Sequence, residues 1–180
     1  MLGFLRRGRP GQAGFDLYGA AVAAARDPYF YTELAVPDTV DGRFDMVGLH
    51  AYLLIRRLRH LPPPGPDMAQ AVFDVMFDDM DVSLREMGVG DLSVGKKVKA
   101  MWEAFHGRAA AYETALAADD PTALAAALAR NVWRGGDGDA KATTLAVIVR
   151  AQDAHLAAQD SAALRAGHAD FLTAATAARR

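Results

Sequence analysis

The sequence predicts an all-α fold, a single compact helical domain of about six to seven helices. Three features of the composition support this prediction. Alanine, the strongest helix former and a poor strand former, accounts for 38 of the 180 residues. Apolar residues make up 52% and charged residues 23%, which is typical of a globular chain. Most of the 16 glycines and 8 prolines lie between stretches of helical periodicity, where they would end helices.

Helical spacing of apolar residues predicts seven helices separated by turn-forming residues. Asp67 is placed to cap the third helix, and Asp120 precedes a proline at the first position of the fifth. Asp27 and Pro28 break the chain after the first helix, and a further turn is expected at 29–34. The predicted helices are 16–26, 43–60, 68–87, 94–118, 121–133, 140–158 and 161–178.

The chain is expected to divide into a flexible basic N-terminal segment, residues 1–15, and a helical domain, residues 16–180. It contains no stretch of the ~18 apolar residues that a membrane span needs. Residues 1–9 lack the apolar core of a secretory signal. We therefore expect any membrane contact to be peripheral.

Charge and residue usage narrow the function classes. The 20 basic and 22 acidic side chains give a net charge of −2, which argues against DNA as a partner. The absence of cysteine excludes thiolate-bound metals and cysteine nucleophiles. No acid–base pair can be nominated, and none of the serines lies in a nucleophile motif. We expect no enzyme activity and no metal or other cofactor.

Residues 90–97, Gly-Asp-Leu-Ser-Val-Gly-Lys-Lys, come close to the pattern of a phosphate-binding loop. However, Lys97 stands where that loop needs a hydroxyl for Mg²⁺, and the residues before the segment have helical rather than strand periodicity. The favoured interpretation is a glycine-rich corner, 88–95, between the third and fourth helices. Gly88 would follow the end of the third helix, and Ser93 would lie near the start of the fourth.

Two further patterns have ordinary structural explanations. Asp74, Asp78 and Asp81 share one face of the third helix, and a solvated acidic face is favoured there over a cation site. Asp81 is also spaced to pair with Arg85. His50 lies among apolar residues, so we expect a core histidine rather than a ligand for metal or haem.

Basic residues form three clusters along the chain. They are Arg6, Arg7 and Arg9; Arg56, Arg57 and Arg59; and Lys96, Lys97 and Lys99. Such clusters are either solvated surface or a docking face for anionic lipid or ribosomal RNA. The two arginine clusters are the predicted membrane or ribosome contacts.

Several segments, taken in order and spacing, carry a family resemblance. They are Asp41-Gly42-Arg43-Phe44-Asp45 with Leu49-His50, then the run from Phe77 to Asp91, then Gly95-Lys96-Lys97, Ala111-Tyr112-Glu113 and Ala129-Arg130-Asn131-Val132-Trp133. Together they resemble the ubiquinol–cytochrome c chaperone family over residues 29–133. Residues after Arg134 fall outside this resemblance.

The resemblance implies an all-helical, non-enzymatic assembly factor for ubiquinol–cytochrome c reductase, respiratory complex III. Its expected client is newly made cytochrome b. Expected further partners are the inner-membrane surface, the ribosome and a small partner protein. Because the chain lacks the long presequence of mitochondrial members, the resemblance implies a bacterial form, cytoplasmic and peripheral to the inner membrane.

The corner between the third and fourth helices is the predicted contact with the client or a partner. Its predicted residues are Arg85, Glu86, Met87, Val89, Asp91, Lys96 and Lys97. The glycines of this corner let the backbone turn sharply and are expected to project Val89 and Asp91 outward. Nearby methionines form either an adaptable apolar groove or plain core. These methionines are Met68, Met76, Met80, Met87 and Met101. An alternative function remains open, a peripheral helical carrier that binds lipid or haem.

Overall fold

The computed structural model describes residues 9–134 and 139–180. Helices are the only regular secondary structure in those two ranges, which confirms the predicted all-α fold. The helices are α1 Arg9–Ala25, α2 Pro28–Thr32, α3 Val40–Arg59, α4 Gly65–Glu86, α5 Asp91–Ala117, α6 Pro121–Val132, α7 Asp139–Ala158, α8 Ser161–Arg165 and α9 Ala174–Ala177. Six of them have 12 residues or more.

The third helix, α3, is the centre of the fold. It begins where the Thr39 hydroxyl accepts a hydrogen bond from the backbone N–H of Gly42 at 3.1 Å. This first turn lies tightly against the preceding loop, since a Cβ atom at Gly42 would be 2.0 Å from the carbonyl oxygen of Pro37. Every residue from Phe44 to Ile55 is buried. A helix buried on all sides belongs to a core, and α1, α4 and α7 pack around this one.

A single cluster of buried apolar residues runs through the described part of the chain, from Ala13 to Ala177. Every helix contributes to this cluster, from Leu17 of α1 to Ala174 of α9. The most extensive helix contacts join α1 to α4 and α6 to α7. None of the helices in the described ranges combines the length and apolar character that crossing a membrane requires.

Four predicted helix starts need correction. The second predicted helix begins at Val40 rather than at 43, and the third begins at Gly65 with Pro64 as its N-cap, so Asp67 lies inside the first turn instead of capping it. The first helix begins at Arg9 rather than at Asp16, so residues 9–15 add about two turns to its N-terminal end. The fourth predicted helix begins at Asp91, three residues early, because Gly90 serves as its N-cap. The domain division at residues 15 and 16 stays a prediction, and residues 1–8 lie outside the described residues.

The predicted seventh helix, 161–178, is wrong. The chain forms the short α8 and α9 instead, because Gly167 adopts a φ of +91° that ends α8. Two buried or half-buried amides then hold the following segment away from helical geometry. The side-chain amide of Gln152 donates to the carbonyl oxygen of Leu172 at 2.7 Å and accepts from its backbone N–H at 3.0 Å. Gln159 makes the same pair of hydrogen bonds with the backbone of Asp170, at 2.6 and 3.0 Å.

Candidate functional site

A groove of about 640 Å³ lies between the second half of α1, the first half of α3 and the second half of α4. The short helix α2 lies along one side, and α5 contributes at the other. Its lining is mainly apolar and includes Phe44, Val47, Met80, Leu84, Met87 and Met101. Phe44, Val47 and Leu84 are also part of the buried interior, so the groove reaches down to the core.

The structure divides the predicted methionine cluster into two groups. Met68 and Met76 are 1% and 0% exposed and belong to the plain core. Met80, Met87 and Met101 line the groove, and Met87 is 51% exposed. Because a methionine side chain is flexible and polarizable, this second group can adapt its surface to different apolar partners.

Polar side chains surround the apolar lining. Tyr18 donates a hydrogen bond to Asp79 at 2.7 Å, and burial together with this bond raises the pKa of the tyrosine hydroxyl. Arg43 and Asp38 form an exposed ion pair at 2.6 Å, and the hydrogen bond from Arg43 lowers the pKa of the Asp38 carboxyl. Arg26 makes no ion pair within the described part of the chain, although it lines the groove. The rim therefore offers one guanidinium group to an incoming acidic or phosphate group.

The predicted contact corner lies between α4 and α5, and Met87 connects it to the groove. Arg85 pairs with Asp81 at 2.6 Å, which confirms the predicted helical pair, and also with Asp91. Glu86 is exposed and makes no ion pair or hydrogen bond with the residues that the structure describes. These ion pairs tie the end of α4 to the start of α5 and stiffen the corner.

Two apolar residues of this corner differ from expectation. Val89 is half-buried rather than projecting outward, because the chain folds back and its N–H donates to the carbonyl oxygen of Leu84 at 3.0 Å. Leu92 is instead the projecting residue, with 94% of its surface exposed. Leu92 was not among the predicted contact residues, and the signal for it in the sequence was a large apolar side chain between Asp91 and Ser93 in the glycine-rich corner.

The segment that resembles a phosphate-binding loop has helical geometry. Gly88, at a φ of +83°, follows the end of α4, as predicted. The residues from Asp91 onward form the first turns of α5, so Lys96 and Lys97 lie on a helix surface rather than beside a loop. Both lysines are exposed. The helix corner is the arrangement that the structure supports.

The arginine clusters predicted to contact a membrane or ribosome have different surroundings. Arg6 and Arg7 lie outside the described residues, and so does the side chain of Arg9. Arg59 is exposed at the end of α3. Arg57 is half-buried and donates to the carbonyl oxygen of Gln159 at 3.3 Å.

Arg56 does not fit the predicted surface contact. Only 19% of its side chain is exposed, and it joins Glu113 of α5 at 2.9 Å to Asp153 of α7 at 2.8 Å. Tyr52 adds a hydrogen bond to Glu113 at 2.8 Å. The guanidinium group therefore binds α3 to two other helices, and its charge is satisfied internally.

A second internal ion cluster surrounds Asp45 of α3. Its carboxylate is 2% exposed and contacts Arg108 of α5, and it lies 3.1 Å from Arg134 at the end of α6. Burial raises the pKa of Asp45 from 3.8 to about 6, an effect larger than the opposing influence of the two arginines. This group fixes the position of α3 beside the groove.

His50 is a core residue, as the sequence indicated. Its Nδ1 hydrogen-bonds the carbonyl oxygen of Met46 at 2.8 Å, and its ring meets the edges of Phe30 and Phe171. Burial lowers the pKa of His50 to about 4, so the ring is neutral at physiological pH.

The acidic stripe of α4 faces solvent, and Gln70 donates to Asp74 at 2.7 Å. Within the described residues, no group of three histidine or acidic side chains is placed to hold a metal ion. None of the groove-lining residues that the structure describes is a histidine. The chemistry available in the groove is therefore apolar contact with a charged rim.

Known proteins resemble this chain in sequence and in fold. The sequence profile of the ubiquinol-cytochrome C chaperone family matches residues 32–171. The chain belongs to this family. The match continues past Trp133, where the sequence resemblance ended, and reaches the link before α9. The matched range therefore includes α6 and α7 as well as the α3 and α4 sides of the groove, whereas α1 lies before it.

Three relatives illustrate the relationship. The ubiquinol-cytochrome-c reductase complex assembly factor 1 of Xenopus laevis is 26% identical over 120 residues, 67% of this chain and 60% of that protein. Protein CBP3, mitochondrial, of Saccharomyces cerevisiae is 33% identical over 110 residues, 59% of this chain and 32% of that protein. The crystal structure of the Cbp3 homolog from Brucella abortus matches with a TM-score of 0.84 and 36% identity, over 93% of this chain and 92% of that chain.

The chain thus corresponds to only part of its curated relatives. Its matched segment spans 60% of the Xenopus laevis protein and 32% of the yeast protein. The structural match covers 93% of this chain and 92% of the Brucella abortus chain, so nearly all of this fold has a counterpart there.

Proposed function

We propose that this chain is an assembly factor for ubiquinol–cytochrome c reductase that binds newly made cytochrome b in the groove. Membership of the chaperone family and relatives named as assembly factors support an assembly role. The observation that carries the proposal is an adaptable apolar groove, lined by three methionines, in a family of chaperones. Binding without catalysis and without a cofactor suffices for this role.

The size of the groove determines what it can hold. A cavity of about 640 Å³ has room for roughly 20 water molecules, at about 30 Å³ each. That volume accepts a few large side chains, but not a protein of several membrane helices. The client is therefore recognised through one short segment, such as the end of a membrane helix and its adjoining loop.

Both parts of such a segment find a partner in the groove. The apolar end of a helix would displace water from Phe44, Met80 and Leu84, at roughly 25 cal/mol per Å² of apolar surface buried. A polar loop would then meet the rim, where Arg26 is free to pair with an acidic group. The corner residues Arg85, Glu86, Met87, Val89, Asp91, Lys96 and Lys97 continue this surface beyond the groove and are proposed as its second contact with the client or a small partner protein.

The proposed site of action is the cytoplasmic surface of the inner membrane of a bacterium, where cytochrome b is inserted. The chain would hold its client there while haem and partner subunits are added. Contact with the ribosome is proposed for the same stage, because a nascent membrane protein is exposed as it leaves the ribosome.

Two exposed apolar residues, one lining the groove and one outside it, allow a matched test of the groove. Met87 and Val82 are both 51% exposed, but only Met87 lines the groove. Met87→Asp places a charge on the apolar contact and is expected to weaken capture of cytochrome b about tenfold or more. Val82→Asp adds the same charge outside the groove and should capture cytochrome b like the unmodified protein. Both variants should remain folded, because both positions are exposed.

The measurement is co-purification of cytochrome b with each tagged variant from detergent-solubilised membranes. Equal capture by both variants would contradict the groove as the client site. A co-purified lipid or a haem absorption band, with no cytochrome b, would favour the alternative of a lipid or haem carrier.

A further inference from the structure

The outer side of α5 near its start forms a surface that the groove does not explain. We call it the lysine face, and define it as Leu92, Lys96, Lys97, Lys99 and Trp102. At about 100° per residue, Leu92, Lys96 and Lys99 lie along one line of the helix, and Lys97 and Trp102 lie on the two flanks of that line. All five residues are exposed, with Leu92 at 94% and Trp102 at 45%. They occupy about ten residues of continuous helix, which corresponds to a length of roughly 15 Å.

The lysine face carries three ammonium groups; of the two acidic residues that flank it, Asp91 is paired with Arg85 and Glu103 lies beside Lys99. From residue 92 to residue 102 the sequence contains three lysines and no acidic residue. Lys96 and Lys97 form no ion pair or hydrogen bond with the residues that the structure describes. Lys99 approaches Glu103 only at 3.8 Å, with both side chains well exposed, so this contact neutralises little of its charge.

Large apolar side chains stand at both ends of the lysine face. Leu92 projects from the first turn of α5, and Trp102 lies about three turns further along the helix. The indole ring of Trp102 stacks on the imidazole of His106 with 3.9 Å between ring centres, which orients the indole. Tryptophan is enriched at membrane–water interfaces, because its ring is apolar and its N–H is polar.

We propose that the lysine face docks on an anionic phospholipid bilayer, with α5 lying along the membrane surface. The three ammonium groups would contact headgroup phosphates, while Leu92 and Trp102 enter the interfacial layer, as in other basic interfacial helices. RNA would also attract the lysines, but an RNA backbone gives Leu92 no apolar environment. A bilayer accounts for the charge and for the apolar side chains together.

This docking would bring the groove to the place where a membrane protein is inserted. Met101 lines the groove and directly precedes Trp102 in α5, so the groove and the lysine face adjoin on one helix. The inference rests on the membrane-side location proposed above. It moves the predicted membrane contact from the α3 arginines, of which Arg56 is internally paired, to α5.

The test uses vesicles of phosphatidylcholine, with or without phosphatidylglycerol, and no client protein. The chain has two tryptophans, so a Trp133→Phe background leaves Trp102 as the only indole fluorophore. Addition of anionic vesicles should shift the Trp102 emission to shorter wavelength, and neutral vesicles should not. In the reverse background, Trp102→Phe, the emission of Trp133 should stay unchanged, since its N–H is bonded to the carbonyl oxygen of Leu34 inside the protein.

Replacing Lys96, Lys97 and Lys99 together with glutamine should weaken vesicle binding about 100-fold, because each basic residue contributes roughly fivefold near an anionic surface. The matched control removes the same charge from exposed arginines elsewhere, as Arg130→Gln, Arg179→Gln and Arg180→Gln, and should bind nearly as well as the unmodified protein. Circular dichroism checks that both triple variants are folded.

Three results would overturn the inference: no binding to anionic vesicles, an equal loss in the control, or lysine-dependent binding of an RNA hairpin without vesicle binding. Because the assay contains no cytochrome b, its failure would leave capture by the groove unaffected. Loss of capture in Met87→Asp would likewise not change vesicle binding.

Discussion

Replacing Arg56 with glutamine is expected to destabilise the fold strongly, although the residue looks like a surface arginine in the sequence. Its guanidinium group makes three charge-assisted hydrogen bonds, one to Glu113 at 2.9 Å and two to Asp153 at 2.8 and 3.0 Å. Glutamine is shorter and neutral, so it leaves two carboxylates without their shared cation. The lost contacts join α3 to both α5 and α7.

The magnitude follows from the burial of the three partners. Breaking a buried ion pair costs about 3–5 kcal/mol, and hydrogen bonds to charged groups contribute about 1.5–3 kcal/mol each. Glu113 is 45% exposed, so water partly replaces its bond, whereas Asp153 is 23% exposed and is compensated less. We therefore expect a loss of about 3 kcal/mol in the free energy of unfolding, or about 6–12 °C in melting temperature.

Urea unfolding followed by circular dichroism measures this loss. The control is Arg59→Gln at the exposed end of the same helix, which should change stability by under about 0.5 kcal/mol. A double-mutant cycle with Asp153→Asn should give a coupling energy above about 1 kcal/mol, because the two side chains are in direct contact. Equal effects of Arg56→Gln and Arg59→Gln, or zero coupling, would refute the internal role of Arg56.

Three further predictions concern stability. Gly42→Ala should lower the free energy of unfolding in urea by about 1–3 kcal/mol, because the new Cβ would lie 2.0 Å from a backbone oxygen. Gly95→Ala has no atom within 4 Å of the new Cβ and should stabilise α5 by up to about 1 kcal/mol. The opposite order of stabilities would be inconsistent with this packing. Burial raises the pKa of Asp45 from 3.8 to about 6, so the folded protein binds this proton more tightly than the unfolded chain does. Protonation of Asp45 therefore contributes about 3 kcal/mol of stability below the unfolded pKa, and this contribution is lost as pH rises through about 6. Asp45→Asn should remove this part of the pH dependence of the unfolding free energy, and an unchanged pH profile would argue against it. Gln152→Leu should lower the free energy of unfolding by about 2–3 kcal/mol and speed hydrogen exchange at the Leu172 amide, because both hydrogen bonds to the Leu172 backbone are lost. Unchanged exchange at that amide would contradict this role of Gln152.

Helices with dense apolar stripes and local stop signals could be predicted closely from sequence. The predicted 43–60 and 140–158 correspond to the observed Val40–Arg59 and Asp139–Ala158. In both cases the apolar residues recur over five turns or so. Prolines from Pro62 onward end the first pattern, and Asp160, the N-cap of α8, follows the second. Information within the segment itself was sufficient there.

The region after α7 shows why the remainder could not be predicted. Its alanine-rich sequence has a high helix propensity, yet Gln152 and Gln159 hold residues 170–172 through backbone hydrogen bonds. These contacts join residues 11 to 20 positions apart. A pattern restricted to neighbouring residues contains no trace of such long-range bonds, so tertiary structure overrides propensity.

The residues of the candidate site could likewise be predicted only in part. The sequence identified Met80, Met87 and Met101 as candidates for an adaptable apolar surface, because methionine has a physical reason to be there. It could not identify Tyr18 or Asp79 as groove residues, because their hydrogen bond joins positions 61 residues apart. The groove exists only after α1, α3 and α4 have packed, and the rim residues have no local signature.

Cytochrome b content in a deletion strain tests the central claim most directly, when the strain is grown under conditions that require complex III. We predict that the deletion lowers haem absorption of cytochrome b and the amount of complex III, while complex III that is already assembled keeps its activity. Expression of the unmodified protein or of Val82→Asp should restore cytochrome b, and Met87→Asp should not. Normal cytochrome b in the deletion strain, or equal restoration by both variants, would contradict the account.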